Sequence, residues 1–186
     1  EALACFLKQN YPRRELVILN NHPVPLLFDH PLVKIINEPG HPTLGHCRNR
    51  LLDFADGEFL RTWDDDDLYL PWTLRQGVEH INNSSAWKPT KSWFTNHGGT
   101  FTLEGNAMEA SILFRTDAVK AVRYKESGGD EHAPLLSGVS VSEGDVGFWA
   151  SYVYRWGCGE WHISGSLGSS SIEERTRDWC EHNQDV

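Results

Sequence analysis

Two short apolar runs limit the folds open to this chain more than any other feature of its sequence. "ELVIL" at 15–19 and "VKIIN" at 33–37 are mostly apolar, are too short for a buried helix, and are bounded by turn-forming residues. Runs of this kind are typical of strands that are buried on both faces of a parallel sheet. They therefore predict a sheet that helices must cover.

Helix-forming segments alternate with these strands along the first 81 residues. Pro12 prevents a first helix from continuing past Tyr11, Thr43 caps a second helix over 44–55, and Pro71 begins a third. A further strand, "EFLRTW", stands before the third helix. This order predicts an α/β fold with a Rossmann-like, mixed, mostly parallel sheet flanked by helices, and with ligands at the carboxyl ends of the strands.

The second half is less regular. We predict strands in "KSWFTNH" and "ASILFR", then a short helix capped by Thr116, and a lid or an idle loop in the glycine-rich stretch 126–138. Apolar residues recur at helical spacing from 146 to 156, which predicts a helix with Asp145 in its first turn. The whole chain, 1–186, is predicted to form a single domain.

Composition excludes several classes of protein. A formal net charge of −9 argues against nucleic acid as a partner, because phosphate backbones are met by Lys and Arg clusters. The four cysteines are widely spaced, which favours reduced thiols in a cytosolic protein over a zinc site or a disulfide framework. No apolar run approaches the roughly 20 residues of a membrane span. We expect a cytoplasmic protein, and attachment to the cytoplasmic face of a membrane stays open.

Four adjacent carboxylates, Asp64 to Asp67, follow the predicted strand "EFLRTW". Like charges side by side repel one another unless they are solvated or neutralised by a cation. A solvated turn would explain them. Carboxylate oxygens are also the ligands that Mg²⁺ and Mn²⁺ prefer, so a metal site at the end of this strand is the second interpretation.

The order of four segments resembles that of the family 2 glycosyltransferases of GT-A fold. These segments are "QNYPRRELVILNN", "GHCRNRLLDFADGEFLRTWDDDDLYLP", "ASILFRTDAVKAV" and "EGDVGFW". The match is close across residues 9–71 and looser beyond them. The resemblance implies a hexosyltransferase, as in polysaccharide synthesis, that moves a sugar from a nucleotide-diphosphate donor to a hydroxyl acceptor such as a glycan. Residues 1–81 would form the donor-binding half and 82–186 the acceptor-binding half.

The resemblance also implies roles for residues around the acidic run. Asp64 and Asp66 are the two ends of the DxD motif and would hold Mn²⁺ or Mg²⁺, and Asp65 would meet the donor ribose. Asp67 would support the metal ligands or be simply solvated. Arg48 stands where the family arginine reaches the nucleotide, and an ordinary exposed helix arginine is the alternative.

The general base that the resemblance implies is in "EGDVGFW". Asp145 aligns with the carboxylate that takes the acceptor proton in inverting members, although Glu143 is a second candidate. Helix capping is the structural alternative for Asp145. His162 stands where related enzymes place a late histidine near the diphosphate, so it is a candidate metal ligand, with simple packing beside Trp161 as the alternative.

Two departures from the family pattern affect the expectations. Asn20 and Asn21 replace the acidic turn that would contact the base, so UDP, GDP and dTDP sugars all stay open as donors. The first strand of the family is missing before the first helix, and we expect the natural protein to be longer. A non-catalytic nucleotide-sugar or glycan-binding domain that keeps the GT-A scaffold is therefore the rival interpretation.

Overall fold

The protein is a mixed α/β structure. The structure is a computed structural model, and it describes residues 1–96, 99–106, 108–128 and 130–156. The helices are α1 (Ala2–Leu7), α2 (Leu44–Phe54), α3 (Thr73–His80), α4 (Thr116–Val122) and α5 (Ala133–Gly138). Short 3₁₀ turns span Glu109–Ser111 and Gly147–Trp149.

Ten short strands are arranged in three sheets among the described residues. They are β1 (Leu16–Asn20), β2 (Val33–Asn37), β3 (Phe59–Leu60), β4 (Leu68–Tyr69), β5 (Ala86–Pro89), β6 (Lys91–Asn96), β7 (Thr102–Gly105), β8 (Leu113–Arg115), β9 (Val141–Gly144) and β10 (Tyr152–Trp156). The strand orders are β1-β2, β4-β10-β6-β7 and β3-β8-β5-β9.

The strand pairs are both parallel and antiparallel. β1 with β2, β5 with β9 and β6 with β10 are parallel, whereas β3 and β5 each pair antiparallel with β8, and β4–β10 and β6–β7 are antiparallel. The prediction of a mixed α/β sheet flanked by helices is therefore confirmed. Parallel pairs do not predominate among the described strands, because β4, β7 and β8 enter the sheets in the opposite direction.

The sheet that contains β8 is covered on both faces. Successive side chains of a strand point to opposite faces, so Phe114 packs with the cluster of α2, α4 and α5 while Leu113 packs with Ile81 and Trp87 on the α3 side. Gly77 of α3 lies against Leu113, and a Cβ there would meet the Leu113 Cδ2 at 2.9 Å. The missing side chain thus lets α3 approach the sheet closely.

The predicted elements of the first half are largely confirmed. β1 and β2 pair in parallel from Leu16 with Val33 to Asn20 with Asn37. Helix α2 has Thr43 as its N-cap, whose side chain accepts a hydrogen bond from the His46 backbone N. The structure adds the short strand β4, which the sequence did not indicate. None of the helices in the described ranges is long and apolar enough to cross a membrane.

The helix predicted from Asp145 onward is wrong. Gly144 ends β9, Gly147 adopts a positive φ of 51° in a 3₁₀ turn, and Tyr152 begins β10. Pairing of β10 with both β4 and β6 replaces the helical hydrogen bonds, so tertiary contacts decide the conformation. Thr116 is likewise the first residue of α4 and donates to the Gly57 carbonyl instead of capping the helix.

Candidate functional site

The register of one sheet brings the acidic run and Asp145 to the same edge. Leu60 of β3 and Val141 of β9 lie in one row across the sheet, and their strands run in the same direction. The row is completed by Phe114 and Ala86. Asp64 and Asp145 each follow this row by four residues. Three strand spacings separate Leu60 from Val141 across the sheet, which is about 14 Å.

Asp67 is a buried structural residue and not a solvated one. Its side chain belongs to a residue only 1% exposed, and the Tyr152 hydroxyl donates a hydrogen bond to Oδ2. The Arg155 backbone N donates to Oδ1 at 2.9 Å. Both partners belong to β10, so Asp67 ties the acidic turn to the neighbouring sheet. The alternative that Asp67 is simply solvated is therefore wrong.

The rest of the acidic turn is held through its backbone. The Asp64 N donates to the Tyr69 hydroxyl oxygen at 2.8 Å, and the Arg155 Nε donates to the Asp66 carbonyl at 2.6 Å. Asp66 is partly buried and Asp65 is exposed. Because these contacts use backbone atoms of the turn, they fix its conformation.

Arg48 of α2 reaches the acidic run, where its Nη2 lies 3.3 Å from the Asp64 Oδ1. The guanidinium is well buried, with 11% of its side chain exposed. Burial by itself lowers the pKa of Arg48, but the carboxylates of Glu109 and Asp64 raise it above its ordinary value. The alternative of an ordinary exposed helix arginine is wrong, whereas contact with a nucleotide stays a prediction.

Two buried glutamates that the sequence did not single out surround Arg48. Its Nη1 lies 3.0 Å from the Glu109 Oε2 and 2.9 Å from the Glu131 Oε1. Glu109 also accepts hydrogen bonds from the Thr62 hydroxyl at 2.9 Å and the Tyr124 hydroxyl at 3.1 Å. These contacts join residues that are far apart in the sequence, so no local motif indicates either glutamate.

Glu131 comes from the glycine-rich stretch that was predicted to be a lid or an idle loop. Its residue is 4% exposed and its carboxylate is paired with Arg48, so this part of the stretch is packed in the site. The loop also approaches α2 closely, since the Gly45 N donates to the Ser127 carbonyl at 3.0 Å. A Cβ on Gly45 would lie 1.8 Å from the Lys125 carbonyl oxygen, so only glycine fits here.

Negative charge exceeds positive charge in this cluster. One guanidinium, Arg48, faces the carboxylates of Asp64, Glu109 and Glu131. Burial and the neighbouring carboxylates raise the pKa of Asp64 to about 7 against the opposing effect of Arg48. The raised pKa reflects an excess of negative charge, which a divalent cation at this site would neutralise.

The donor set is compatible with a metal that completes its coordination elsewhere. In the ranges that the structure describes, no three His, Cys, Asp or Glu side chains form a group that could hold a metal ion alone. Mg²⁺ and Mn²⁺ typically take one or two carboxylates and fill the remaining positions with water and substrate phosphate. The oxygens of Asp64 and Asp66 fit that requirement, and the third candidate, His162, lies outside the described residues.

The two asparagines lie at the carboxyl end of β1. The Asn20 Nδ2 donates to the Asn37 Oδ1 and to the Val24 carbonyl, both at 2.8 Å. Asn21 exchanges two hydrogen bonds with the backbone of His41, at 2.8 and 2.9 Å. Their amide groups therefore hold the loops that follow β1 and β2, and a contact with a donor base stays a prediction.

The two base candidates differ in their surroundings. The Glu143 carboxylate pairs with the Lys88 Nζ at 3.0 Å across the β5–β9 pair. Asp145 is exposed, and its Oδ1 accepts a hydrogen bond from the Gly147 N at 2.8 Å within the turn. Helix capping at the predicted helix no longer explains Asp145, because that helix does not exist.

No protein-family model and no curated protein matches this sequence. Solved structures do match. The S. aureus TarS 1–349 structure is 16% identical, with a TM-score of 0.62 over 82% of this chain and 55% of that chain. TarS 1–349 in complex with UDP-GlcNAc is 17% identical, with a TM-score of 0.60 over 99% of this chain and 62% of that chain.

A third match comes from a different organism. The mannosyltransferase PcManGT from Pyrobaculum calidifontis, in complex with GDP-Man and Mn²⁺, is 17% identical, with a TM-score of 0.59 over 82% of this chain and 51% of that chain. The fold is therefore that of the GT-A, nucleotide-sugar glycosyltransferases. The chain spans about half the length of the TarS 1–349 and PcManGT chains it matches.

Proposed function

We propose that the protein is a metal-dependent glycosyltransferase that moves a sugar from a nucleotide-diphosphate donor to a hydroxyl acceptor with inversion. The observation that carries this proposal is the register that brings Asp64 and Asp145 to one edge of the sheet. Two of the matched structures support the donor class, since they were solved with UDP-GlcNAc and with GDP-Man and Mn²⁺. We include the hexosyltransferase type in the proposal because the sugars of these two donors are hexoses.

In this proposal Asp64 and Asp66 bind Mn²⁺ or Mg²⁺, and Asp65 contacts the donor ribose. When bound, the metal supplies positive charge that stabilises the leaving nucleotide diphosphate. Arg48 keeps Asp64 in position, and it is the cation of this cluster that a donor phosphate would meet. Glu109 and Glu131 hold Arg48 in turn.

Asp145 is our candidate for the general base. It would accept the proton of the acceptor hydroxyl as that oxygen bonds to the anomeric carbon, while the bond from this carbon to the diphosphate oxygen breaks. Attack opposite the leaving group inverts the anomeric centre. The carboxylate of Glu143 is shared with Lys88, whereas that of Asp145 accepts a hydrogen bond from its own turn, and this difference favours Asp145.

Calorimetric titration of UDP, GDP and dTDP, each with and without Mn²⁺, tests the donor site. We expect metal-dependent binding of one nucleotide, lost in Asp66→Asn and kept in the control Asp56→Asn, which removes an exposed carboxylate before β3. If no nucleotide binds with Mn²⁺, the metal site is wrong and the acidic run is a structural turn.

Donor turnover separates the enzyme from the rival non-catalytic domain. Water can take the place of the acceptor hydroxyl, so release of nucleotide from the matching nucleotide sugar needs no knowledge of the acceptor. We expect slow release by the unaltered protein and none by Asp66→Asn. Metal-dependent binding without any release or transfer would identify a binding domain.

A further inference from the structure

A row of aromatic side chains extends from the turn that carries Asp145. Phe148 and Trp149 are 80% and 71% exposed. The Phe148 ring lies 6.3 Å from that of Trp93, and the Trp149 ring lies 6.1 Å from that of Trp72 in an edge-to-face arrangement. We call Trp93, Phe148, Trp149 and Trp72 the aromatic track. Large exposed aromatic groups of this kind mark binding surfaces.

One end of the track opens into a groove of about 350 Å³ that Trp72 and Trp149 help to line. This volume is near the lower end of the range of small-molecule sites. Polar side chains of α3 and of the segment before β1 complete its lining, among them Asn10, Arg75 and Gln76. The groove thus combines indole rings with hydrogen-bonding groups.

The turn that carries the track is fixed before any ligand binds. The Trp149 carbonyl accepts hydrogen bonds from the Trp72 Nε1 and the Gln76 Nε2, each at 2.9 Å. The Trp149 N donates to the Val146 carbonyl at 3.0 Å. A surface held in its binding geometry loses little conformational entropy when a ligand arrives.

The side-chain oxygen of Gln76 is a second indication that a ligand binds in the groove. The residue is 7% exposed, and its Oε1 is buried without a hydrogen-bond partner in the described part of the chain. Buried polar atoms normally have a partner. A turn of the Gln76 side chain toward the groove, which it lines, would let a ligand hydroxyl supply one.

The charges of the groove balance, which limits the class of ligand. Arg75 lies 3.9 Å from Glu79 on the same helix. The polar groups that remain are the neutral amides of Asn10 and Gln76 and the imidazole of His80, whose Nδ1 lies 2.8 Å from the Gln76 carbonyl oxygen. A phosphate or a nucleic acid would find no excess of positive charge here. Sugar rings present an apolar C–H face and a rim of hydroxyl groups, and these match indole faces beside amides.

The track also begins at the candidate base. The Gly147 N donates to the Asp145 Oδ1, and Phe148 follows directly. Trp149 is four residues beyond Asp145, so their Cα atoms are at most roughly 14 Å apart. A chain of sugar units stacked on the track would reach the carboxylate with its terminal hydroxyl.

We propose that the aromatic track binds a neutral oligosaccharide as the acceptor, with the sugar unit farthest from Asp145 held in the groove that Trp72 and Trp149 line. The acceptor role rests on the proposed glycosyltransferase function. Binding of the oligosaccharide itself requires neither donor nor metal, so it can be measured separately.

The test is ¹⁹F NMR of protein labelled with 5-fluorotryptophan, titrated with the hexasaccharides of chitin, cellulose, starch, xylan and mannan without nucleotide or metal. The Trp72 and Trp149 signals are assigned from Trp→Phe variants. We expect one hexasaccharide to shift these two signals at millimolar concentration or below. We expect Trp149→Ala to weaken binding about tenfold. Phe101→Ala is the matched control, since Phe101 is 53% exposed and lies outside the groove.

The outcomes are distinct. Trp149→Ala removes an exposed ring but keeps the carbonyl that Trp72 and Gln76 bind, so unchanged backbone NMR signals elsewhere would establish that it folds. The proposal is overturned if no hexasaccharide moves the two signals at about 10 mM, or if Trp149→Ala binds as well as the unaltered protein. It is also overturned if the signals change with protein concentration alone, because a second copy would then cover the track. If the protein binds the oligosaccharide but no nucleotide, only the proposed donor site is refuted.

Discussion

The two acidic turns of the sheet edge differ in how their carboxylates are held. Both follow the same row of paired residues by four positions, at Asp64 and at Asp145. Asp64 and Asp67 are engaged by side chains from other elements, whereas Asp145 is exposed and contacts its own turn. The same residue type therefore serves two purposes, and the surroundings decide which one.

The packing around each turn explains the difference. Both turns lead from an outer strand of one sheet to the sheet of β4 and β10. Tyr152 and Arg155 contact the turn at Asp64–Asp67 from one side and Arg48 contacts it from another, whereas the turn after β9 carries the exposed side chains of Phe148 and Trp149. In the proposed function the first turn would fix the donor and the second would receive the acceptor.

The largest expected change in stability comes from Arg48→Met. The substitution leaves the buried carboxylates of Glu109 and Glu131 without their cation, which typically costs about 3 to 5 kcal/mol. Urea denaturation measures the loss. Arg50→Met is the control on the same helix, because its pair with Glu38 is solvent-accessible and should matter far less. Equal losses in both variants would contradict the burial argument.

Asp67→Ala should have the next largest effect, a loss of about 3 kcal/mol in the free energy of unfolding. It leaves the Tyr152 hydroxyl and the Arg155 backbone N–H buried without an acceptor. Denaturant titration against Asp65→Ala, which removes an exposed neighbour, provides the comparison. A similar midpoint for the two variants would show that Asp67 does not hold the turn to β10.

The pH dependence of Asp64 gives a change in stability with a defined sign. Burial raises its pKa from 3.8 to about 7, so the folded protein binds more protons than the unfolded chain between these values. Its contribution to stability therefore falls as the pH rises from about 4 to about 7. The free energy of unfolding can be measured from pH 4 to pH 8. We expect this decline in the unaltered protein and not in Asp64→Asn.

The same proton competes with a metal ion. Below pH 7 protonated Asp64 should weaken Mn²⁺-dependent nucleotide binding, by about tenfold per pH unit for one proton. Calorimetry at pH 6 and pH 8 checks this. Equal affinity at both values would mean that Asp64 is not a metal ligand.

Local patterns predicted the elements whose stability is local. The Thr43 cap and the apolar spacing after it gave helix α2, and the run at 15–19 gave β1. The helix predicted over 146–156 was wrong because the apolar spacing of this segment also suits a strand, and the partner strands β4 and β6 are distant in sequence. Aromatic and β-branched residues in "SYVYRW" were the available strand signal.

The site was predictable only where a motif carried it. The acidic run is conspicuous in the sequence, whereas Asp145 and Arg48 were predicted because their segments resemble those of a known family. Glu109 and Glu131 have no such pattern, and they join the site through contacts with Arg48 that span 61 residues or more in sequence. A buried carboxylate whose partner is remote leaves no periodic or local signal.

The smallest change in stability and the largest change in rate should occur together, in Asp145→Asn. Its exposed side chain can still accept the Gly147 N–H bond through an amide oxygen, so the free energy of unfolding should stay within about 0.5 kcal/mol of the original. An amide cannot take the acceptor proton, and loss of a general base typically slows transfer by about 10² to 10⁴.

Glu143→Gln, which removes the partner of Lys88, should keep most of the rate. If Glu143→Gln abolished transfer while Asp145→Asn did not, the base would be Glu143. The contrast between the two acidic turns would remain, with the catalytic carboxylate two residues earlier.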